Sequence, residues 1–339
     1  MLSTQDDERA ARAAMAEGWW PAARIAPLGE GHIHATWLVD PVDTTRGRAV
    51  LQRISTAVFA DPAGLMDKIE RVVAHVEARA PGWVPALRPT RSGASWHRTT
   101  DRSCWRLWRY VPGARTLQAL TTPAQAESAG RAFGSLQRWL RDFAGEVPDA
   151  IPGFLQLEHY LARLDGVRDR AARDRDSAEI ATLLDAVDQR GGIARTIVAR
   201  DRLIHGDCKV NNLLFHPDRD EVVCILDLDT VMRGHWAWDA GDLIRSAAAD
   251  PSGLSVERFA AVVRGLGAEG GIDAAPEDWV LAPRYVTLML AVRFLTDHLE
   301  GDRYFRVQHA GQNLERARAQ FRLLDAFERH ERLMLAALR

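Results

Sequence analysis

A chain of 339 residues is longer than a single hydrophobic core usually grows, so two domains or lobes are expected. Its make-up, 47% hydrophobic and 27% charged, is that of an ordinary globular protein, and a net charge of −2 with a pI near 6.6 gives no electrostatic case for nucleic acid or an anionic membrane. Cys104, Cys208 and Cys224 form no C-x-x-C pair, no run of about eighteen apolar residues occurs, and the acidic start lacks a secretory pattern, so a reduced cytoplasmic setting is expected.

Residues 5–17 read as an Ala/Arg/Glu-rich helix, with Trp19 and Trp20 docking it. Ile25-Ala26-Pro27-Leu28, then Gly29-Glu30-Gly31-His32-Ile33-His34, then the alternating Thr36-Trp37-Leu38-Val39 read as strand, glycine turn, strand. Gly29 and Gly31 would let backbone approach a ligand without interference from Cβ atoms. His32 and His34 flank the turn, where they either contact a ligand or pack the loop. A further strand is expected over Arg48–Ile54, and Asp61-Pro62 followed by Leu65, Met66, Ile69, Val72, Val73 and Val76 reads as a capped amphipathic helix. The aromatic-rich strand Ser103–Val111 runs into Pro112-Gly113, which places the lobe boundary there: residues 1–111, then 112–339. The second lobe is mostly helical, with helices expected at 123–143, 158–170, 177–191, 256–267, 281–299 and 313–336.

Between those helices lies His205-Gly206-Asp207-Cys208-Lys209-Val210-Asn211-Asn212, followed by the apolar run Val222–Leu226 and Asp227-Leu228-Asp229. In the protein-kinase loop H-R-D-L-x-x-x-N, an Asp accepts the substrate hydroxyl proton and an Asn five residues later binds Mg²⁺. Asp207 and Asn212 have that spacing, and Asp227 arrives at a strand end where kinases place a second metal ligand. Lys209 stands two residues after the base, where a cation would meet the transferring phosphate. Phosphoryl transfer needs little covalent help beyond a positioned hydroxyl and metal-neutralised phosphate, so ATP and Mg²⁺ are the expected cofactors.

Only Lys68 and Lys209 are lysines, so the strand that carries a phosphate-binding lysine in kinases has none here. Arg53 is the expected substitute, with Gln52 the alternative because a one-residue slip reverses the exposed face. Glu70 and Glu77 are candidates to pair with that cation. The backbone of Arg109, Tyr110 and Val111 is expected to bind adenine, beneath a glycine turn acting as phosphate lid.

The chain resembles the aminoglycoside phosphotransferase and choline kinase superfamily and, within it, N-acetylhexosamine 1-kinases. The resemblance rests on Gly31-His32-Ile33, Leu51-Gln52-Arg53-Ile54 with Val58-Phe59, Ile225–Met232 and Arg293–Asp302. It implies an α+β, protein-kinase-like bilobal fold with a small antiparallel-sheet lobe and a larger helical one. It also implies phosphorylation of the anomeric hydroxyl of an N-acetylhexosamine. By position Asp207 would be the base, Asn212 and Asp227 the metal ligands, and His32, Arg293 and Tyr304 sugar contacts. Asp229 would touch substrate or brace the loop, and Asp239 would support the catalytic loop. One departure stands out: Leu155-Gln156-Leu157 replaces a polar stretch of the resembled proteins, which leaves another hexose or small alcohol open as acceptor. A nucleotide-binding module without catalysis is the remaining alternative, although Asp207, Asn212 and Asp227 are all present.

Overall fold

The computed structural model describes residues 4–29, 33–149, 151–173, 176–250 and 253–339, and the chain divides into two compact units, residues 1–114 and 115–339.

The first unit is built on a five-stranded sheet in the order β1-β2-β3-β5-β4, comprising β1 (Ala22–Pro27), β2 (Ala35–Pro41), β3 (Ala49–Arg53), β4 (Trp96–Arg98) and β5 (Cys104–Arg109). Every pairing is antiparallel. Strand alternation sends Ala49 and Leu51 to one face, where they pack with Trp37, Trp105 and Leu107 against Ala11, Ala14 and Met15 of helix α1 (Thr4–Gly18). Helix α2 (Pro62–Glu77) begins as its sequence requires: Pro62 takes the first turn and the Asp61 carboxylate accepts the Gly64 N–H at 3.0 Å. Such a cap stabilises a helix by about 1 kcal/mol.

The second unit is mostly helical. It contains α3 (Pro123–Trp139), α4 (Leu157–Asp165), α5 (Ser177–Arg190), α6 (Trp236–Ala248), α7 (Val256–Gly270), α8 (Pro276–Glu300), α9 (Gln312–Arg329) and α10 (Glu331–Ala337). Helix α8 starts five residues before the expected 281 and carries Pro283 inside it. Pro283, the eighth residue of the helix, forgoes only its own intrahelical N–H bond, and Trp279, tilted against Trp236 with ring centroids 4.6 Å apart, packs the extra turn. By length and composition α8 could cross a membrane, but 72% of its most apolar window is buried inside the protein, as befits a core helix.

Short strands interleave with these helices: β6 (Arg115–Thr116), β7 (Arg202–Ile204), β8 (Leu213–Phe215), β9 (Val222–Ile225) and β10 (Met232–Gly234). Strands β6, β8 and β9 form one sheet, and β7 pairs with β10. The β8–β9 hairpin sets the Asn212 end of one strand beside the Asp227 end of the other, since Leu213 is in register with Ile225 and the Leu226 N–H donates to the Asn212 carbonyl at 2.8 Å.

Candidate active site

The His205–Asn212 loop is shaped by groups that satisfy its backbone. The buried Asp239 carboxylate of α6 accepts the N–H groups of His205 and Gly206, each at 2.8 Å, and the Gln137 side-chain amide at 3.0 Å. His205 is fully buried, with Nε2 2.9 Å from the Leu226 carbonyl and its ring edge-on to Phe133. Gly206 has φ +82, and a Cβ there would lie 2.6 Å from the Thr230 carbonyl oxygen, so both the conformation and the space demand glycine. Further along, the Val210 N–H donates to Ser246 Oγ of α6 at 3.2 Å. Asp239 and Ser246 therefore clamp opposite ends of the loop from one helix, a role for Ser246 that the sequence does not signal.

Three loop side chains converge. Lys209 Nζ lies 2.7 Å from Asp207 Oδ2, and Asn212 Nδ2 donates to that oxygen and to the Asp207 carbonyl, both at 2.8 Å. Burial raises the Asp207 carboxyl pKa, but Lys209, His205 and the Asn212 amide outweigh it and hold the group below the ordinary carboxylate value. For Lys209, burial lowers the pKa, but Asp207, Asp227 and Asp242 prevail and keep the ammonium charged. Burial, reinforced by Asp239 and Asp242, lifts the intervening Cys208 thiol well above its usual range, which makes it inert packing.

Asp227 follows β9 in a left-handed conformation, φ 63 and ψ 68, at the head of the turn Leu228–Thr230. A non-glycine residue held there is strained, as side chains at working sites often are. With the Asn212 nitrogen committed to Asp207, its amide oxygen is the atom left to ligate, and Asp227 adds a carboxylate. That hard-oxygen donor set fits Mg²⁺, which characteristically takes one or two protein oxygens and completes its shell with phosphate and water. Asp229, within the turn that follows, is 1% exposed.

In the first unit, Arg53 and Gln52 lie on opposite faces of β3. Arg53 shares the face of Ala49 and Leu51, lies 5.9 Å over the Trp105 ring and pairs with Asp7 of α1 at 3.5 Å. Gln52 occupies the opposite face, where its Oε1 accepts from Arg106 Nε at 2.9 Å and Trp108 Nε1 at 2.7 Å. Neither Glu70, bonded to Ser95, nor Glu77, bonded to the Gly82 N–H, pairs with Arg53. His34 is buried, stacked on Phe59 and bonded to the Ser55 N–H, so it packs the loop. Gly29 adopts φ +71 with open space around it, whereas Gly31 and His32 lie outside the described residues. Of the expected adenine contacts, the Arg109 N–H is spent on the Ala86 carbonyl at 2.8 Å and that of Tyr110 on Arg48 at 3.4 Å. Val111 makes no backbone hydrogen bond among the described residues.

Arg293 and Tyr304 do come together. Tyr304 Oη is 3.5 Å from the Arg293 guanidinium, which faces the rings of Phe154, Tyr160, Tyr304 and Phe305 at 5.0–5.5 Å. Phe154 immediately precedes Leu155-Gln156-Leu157, the segment that departs from the resembled proteins. Tyr285 pins that segment, its hydroxyl accepting the Leu157 N–H at 2.9 Å and donating to the Leu155 carbonyl at 3.2 Å.

Solved structures share this architecture. An amicoumacin kinase in complex with AMP-PNP, Ca²⁺ and amicoumacin matches with a TM-score of 0.61 at 14% identity, over 96% of this chain and 94% of that one. An aminoglycoside phosphotransferase from Alicyclobacillus acidocaldarius matches at 0.62 and 16% identity over 100% and 96% of the two chains. A spectinomycin phosphotransferase bound to ADP and spectinomycin matches at 0.61 and 13% identity over 98% and 99%. The fold is thus the α+β kinase-like one, with an antiparallel five-stranded sheet followed by a mostly helical part. The profile of the phosphotransferase enzyme family matches residues 24–275, about three quarters of the sequence, and the chain belongs to that family.

Proposed function

We propose that this phosphotransferase is an ATP- and Mg²⁺-dependent cytoplasmic kinase that phosphorylates the anomeric hydroxyl of an N-acetylhexosamine, giving the sugar 1-phosphate. The observation that carries the phosphoryl-transfer part is the Asp207–Lys209–Asn212 constellation, with all three side chains meeting at one carboxylate oxygen. Asp207, ionised at neutral pH, accepts a hydrogen bond from the acceptor hydroxyl and orients it. Because its pKa is depressed, it takes the proton late, as the new O–P bond forms and the acceptor oxygen becomes acidic. The Lys209 ammonium offsets charge on the moving phosphoryl group. Asn212 and Asp227 would hold Mg²⁺, which when bound neutralises the polyphosphate. The first unit would serve the nucleotide, with the Val111 backbone free to meet adenine and Gln52 preferred to Arg53 for the phosphates because Arg53 is engaged with Asp7 and Trp105.

The sugar part rests on the sequence resemblance and is supported by Arg293 and Tyr304 lying side by side. The apolar Leu155–Leu157 segment beside them favours a second reading, in which another hexose is the acceptor. A coupled ADP-release screen over sugars, amino sugars, choline, homoserine and aminoglycosides tests both. N-acetylglucosamine or N-acetylgalactosamine should give the highest kcat/KM and an acid-labile phosphate, and inactivity of both would refute the sugar assignment.

A further inference from the structure

Helix α6 meets the catalytic loop with one face. Asp239 takes the N–H groups of His205 and Gly206, and Ser246, two turns on, takes that of Val210. Asp242 stands between them, three residues after Asp239 and four before Ser246, so it shares that face and is set against Cys208 and Lys209. Its charge reaches both. Burial raises the Cys208 thiol pKa and Asp239 and Asp242 add to the rise, while against the opposing effect of burial Asp207, Asp227 and Asp242 raise that of the Lys209 ammonium. Asp242 is 7% exposed, and Arg245 binds it through one oxygen alone, Oδ1, at 3.0 Å from Nε and 2.8 Å from a terminal nitrogen. Oδ2 takes no hydrogen bond among the described residues.

Of the three carboxylates acting on Lys209, Asp207 has the largest influence in the resting site, through the ion pair at 2.7 Å. During the proposed reaction that pair is lost. The acceptor hydroxyl proton moves to Asp207 as the O–P bond forms, and a neutral carboxyl holds an ammonium ion only weakly. Asp227, as a ligand, gives its charge to Mg²⁺. The Lys209 side chain is 31% exposed, so without a remaining counter-charge its ammonium would turn to water just when the transferring phosphoryl group requires it. Asp242 is the carboxylate that neither event neutralises. We propose that Asp242, fixed by Arg245, is the positioning residue that keeps the Lys209 ammonium at the catalytic loop while Asp207 carries the substrate proton. Its purpose rests on the kinase reading; the contact itself is measured without substrate.

The test treats the full-length protein briefly with N-acetoxysuccinimide, which acetylates accessible amines, and follows Lys209 by mass spectrometry. Asp207→Asn supplies the neutral base, and Asp227 is unchanged throughout. Acetylation of Lys209 in Asp207→Asn should stay within about threefold of wild type, and should rise by about tenfold more when Asp242→Asn is added, the factor for one pKa unit of lost interaction. Equal rates in the single and double variants would overturn the proposal. Asn at 242 keeps an acceptor oxygen for Arg245, and thermal midpoints show that each variant is folded. Arg245→Met breaks the same ion pair from the other side. In the Asp207→Asn background, a counter-charge role requires Asp242→Asn to speed acetylation and Arg245→Met to slow it. If both variants change the rate alike, the pair merely packs α6 and the proposal falls. With Asp207 intact, Asp242→Asn should lower kcat by about tenfold with the KM for ATP and for acceptor within about twofold of wild type. An unchanged kcat would remove Asp242 from turnover. Absence of turnover with every acceptor would refute the kinase reading, while the acetylation rates would still decide whether Asp242 holds Lys209.

Discussion

Asp207 Oδ2 receives the Lys209 ammonium at 2.7 Å and the Asn212 amide at 2.8 Å, so a single carboxylate oxygen ties the proposed base to its cation and to the proposed metal ligand. The other oxygen takes no hydrogen bond among the described residues and is, on the proposed reading, the one that meets the acceptor hydroxyl. Replacing Asp207 by Asn keeps the shape and removes the proton acceptor. We expect turnover to fall by about 10²–10⁴-fold, with ADP affinity and thermal midpoint close to wild type. Steady-state kinetics with calorimetric ADP binding checks this, and near-normal turnover would move the base elsewhere.

Lys209→Met leaves Asp207 buried but strips away the largest influence holding its pKa down. The Asp207 pKa then rises, and the acid limb of the kcat profile should move to higher pH. The stability sign follows the same logic. A depressed carboxyl stabilises the fold above its unfolded value of 3.8, and that contribution is lost as pH falls through the lower folded value. Thermal midpoints followed into acid should therefore fall at higher pH in the variant, and superimposable profiles would show that the ion pair does not set the pKa.

Asp239 holds two buried backbone N–H groups and the Gln137 amide. Asp239→Ala leaves the two backbone N–H groups without partners, at roughly 1–3 kcal/mol per buried group, so a loss of about 2–6 kcal/mol in urea unfolding is expected. A loss below about 1 kcal/mol would mean that water or a rearranged loop replaces the carboxylate.

Asp227→Ala should shift the Mg²⁺ concentration for half-maximal activity upward, because a carboxylate ligand contributes most of the protein's charge toward the cation. A magnesium titration at fixed ATP reads this directly. An unchanged midpoint would place the metal on other residues.

Arg53→Ala offers a contrast, since Arg53 is engaged with Asp7 and Trp105 on the α1 face. Its ATP KM should remain within about twofold of wild type, with only a modest stability cost for an exposed ion pair. A tenfold rise would restore Arg53 as a phosphate contact.

What could be read from the chain depended on how local the determinant was. The Asp61-Pro62 cap is fixed by neighbouring residues, and Asp207 and Asn212 by their spacing, so their elements were legible. The face on which Arg53 lies was not, because strand parity has meaning only once α1 is known to cover the Ala49 and Leu51 side. Asp297 was equally silent, since a carboxylate that binds backbone N–H groups six to eight residues ahead leaves no side-chain pattern.

The scarcity of lysine has a practical outcome. Lys68 is 1% exposed, while the Lys209 side chain is 31% exposed beside Asp207. Among lysine side chains, an amine-directed reagent should therefore find one accessible target, in the middle of the catalytic loop. Acylation of Lys209, slowed by whatever covers it, turns occupancy of that loop into a mass-spectrometric signal that needs no knowledge of the acceptor.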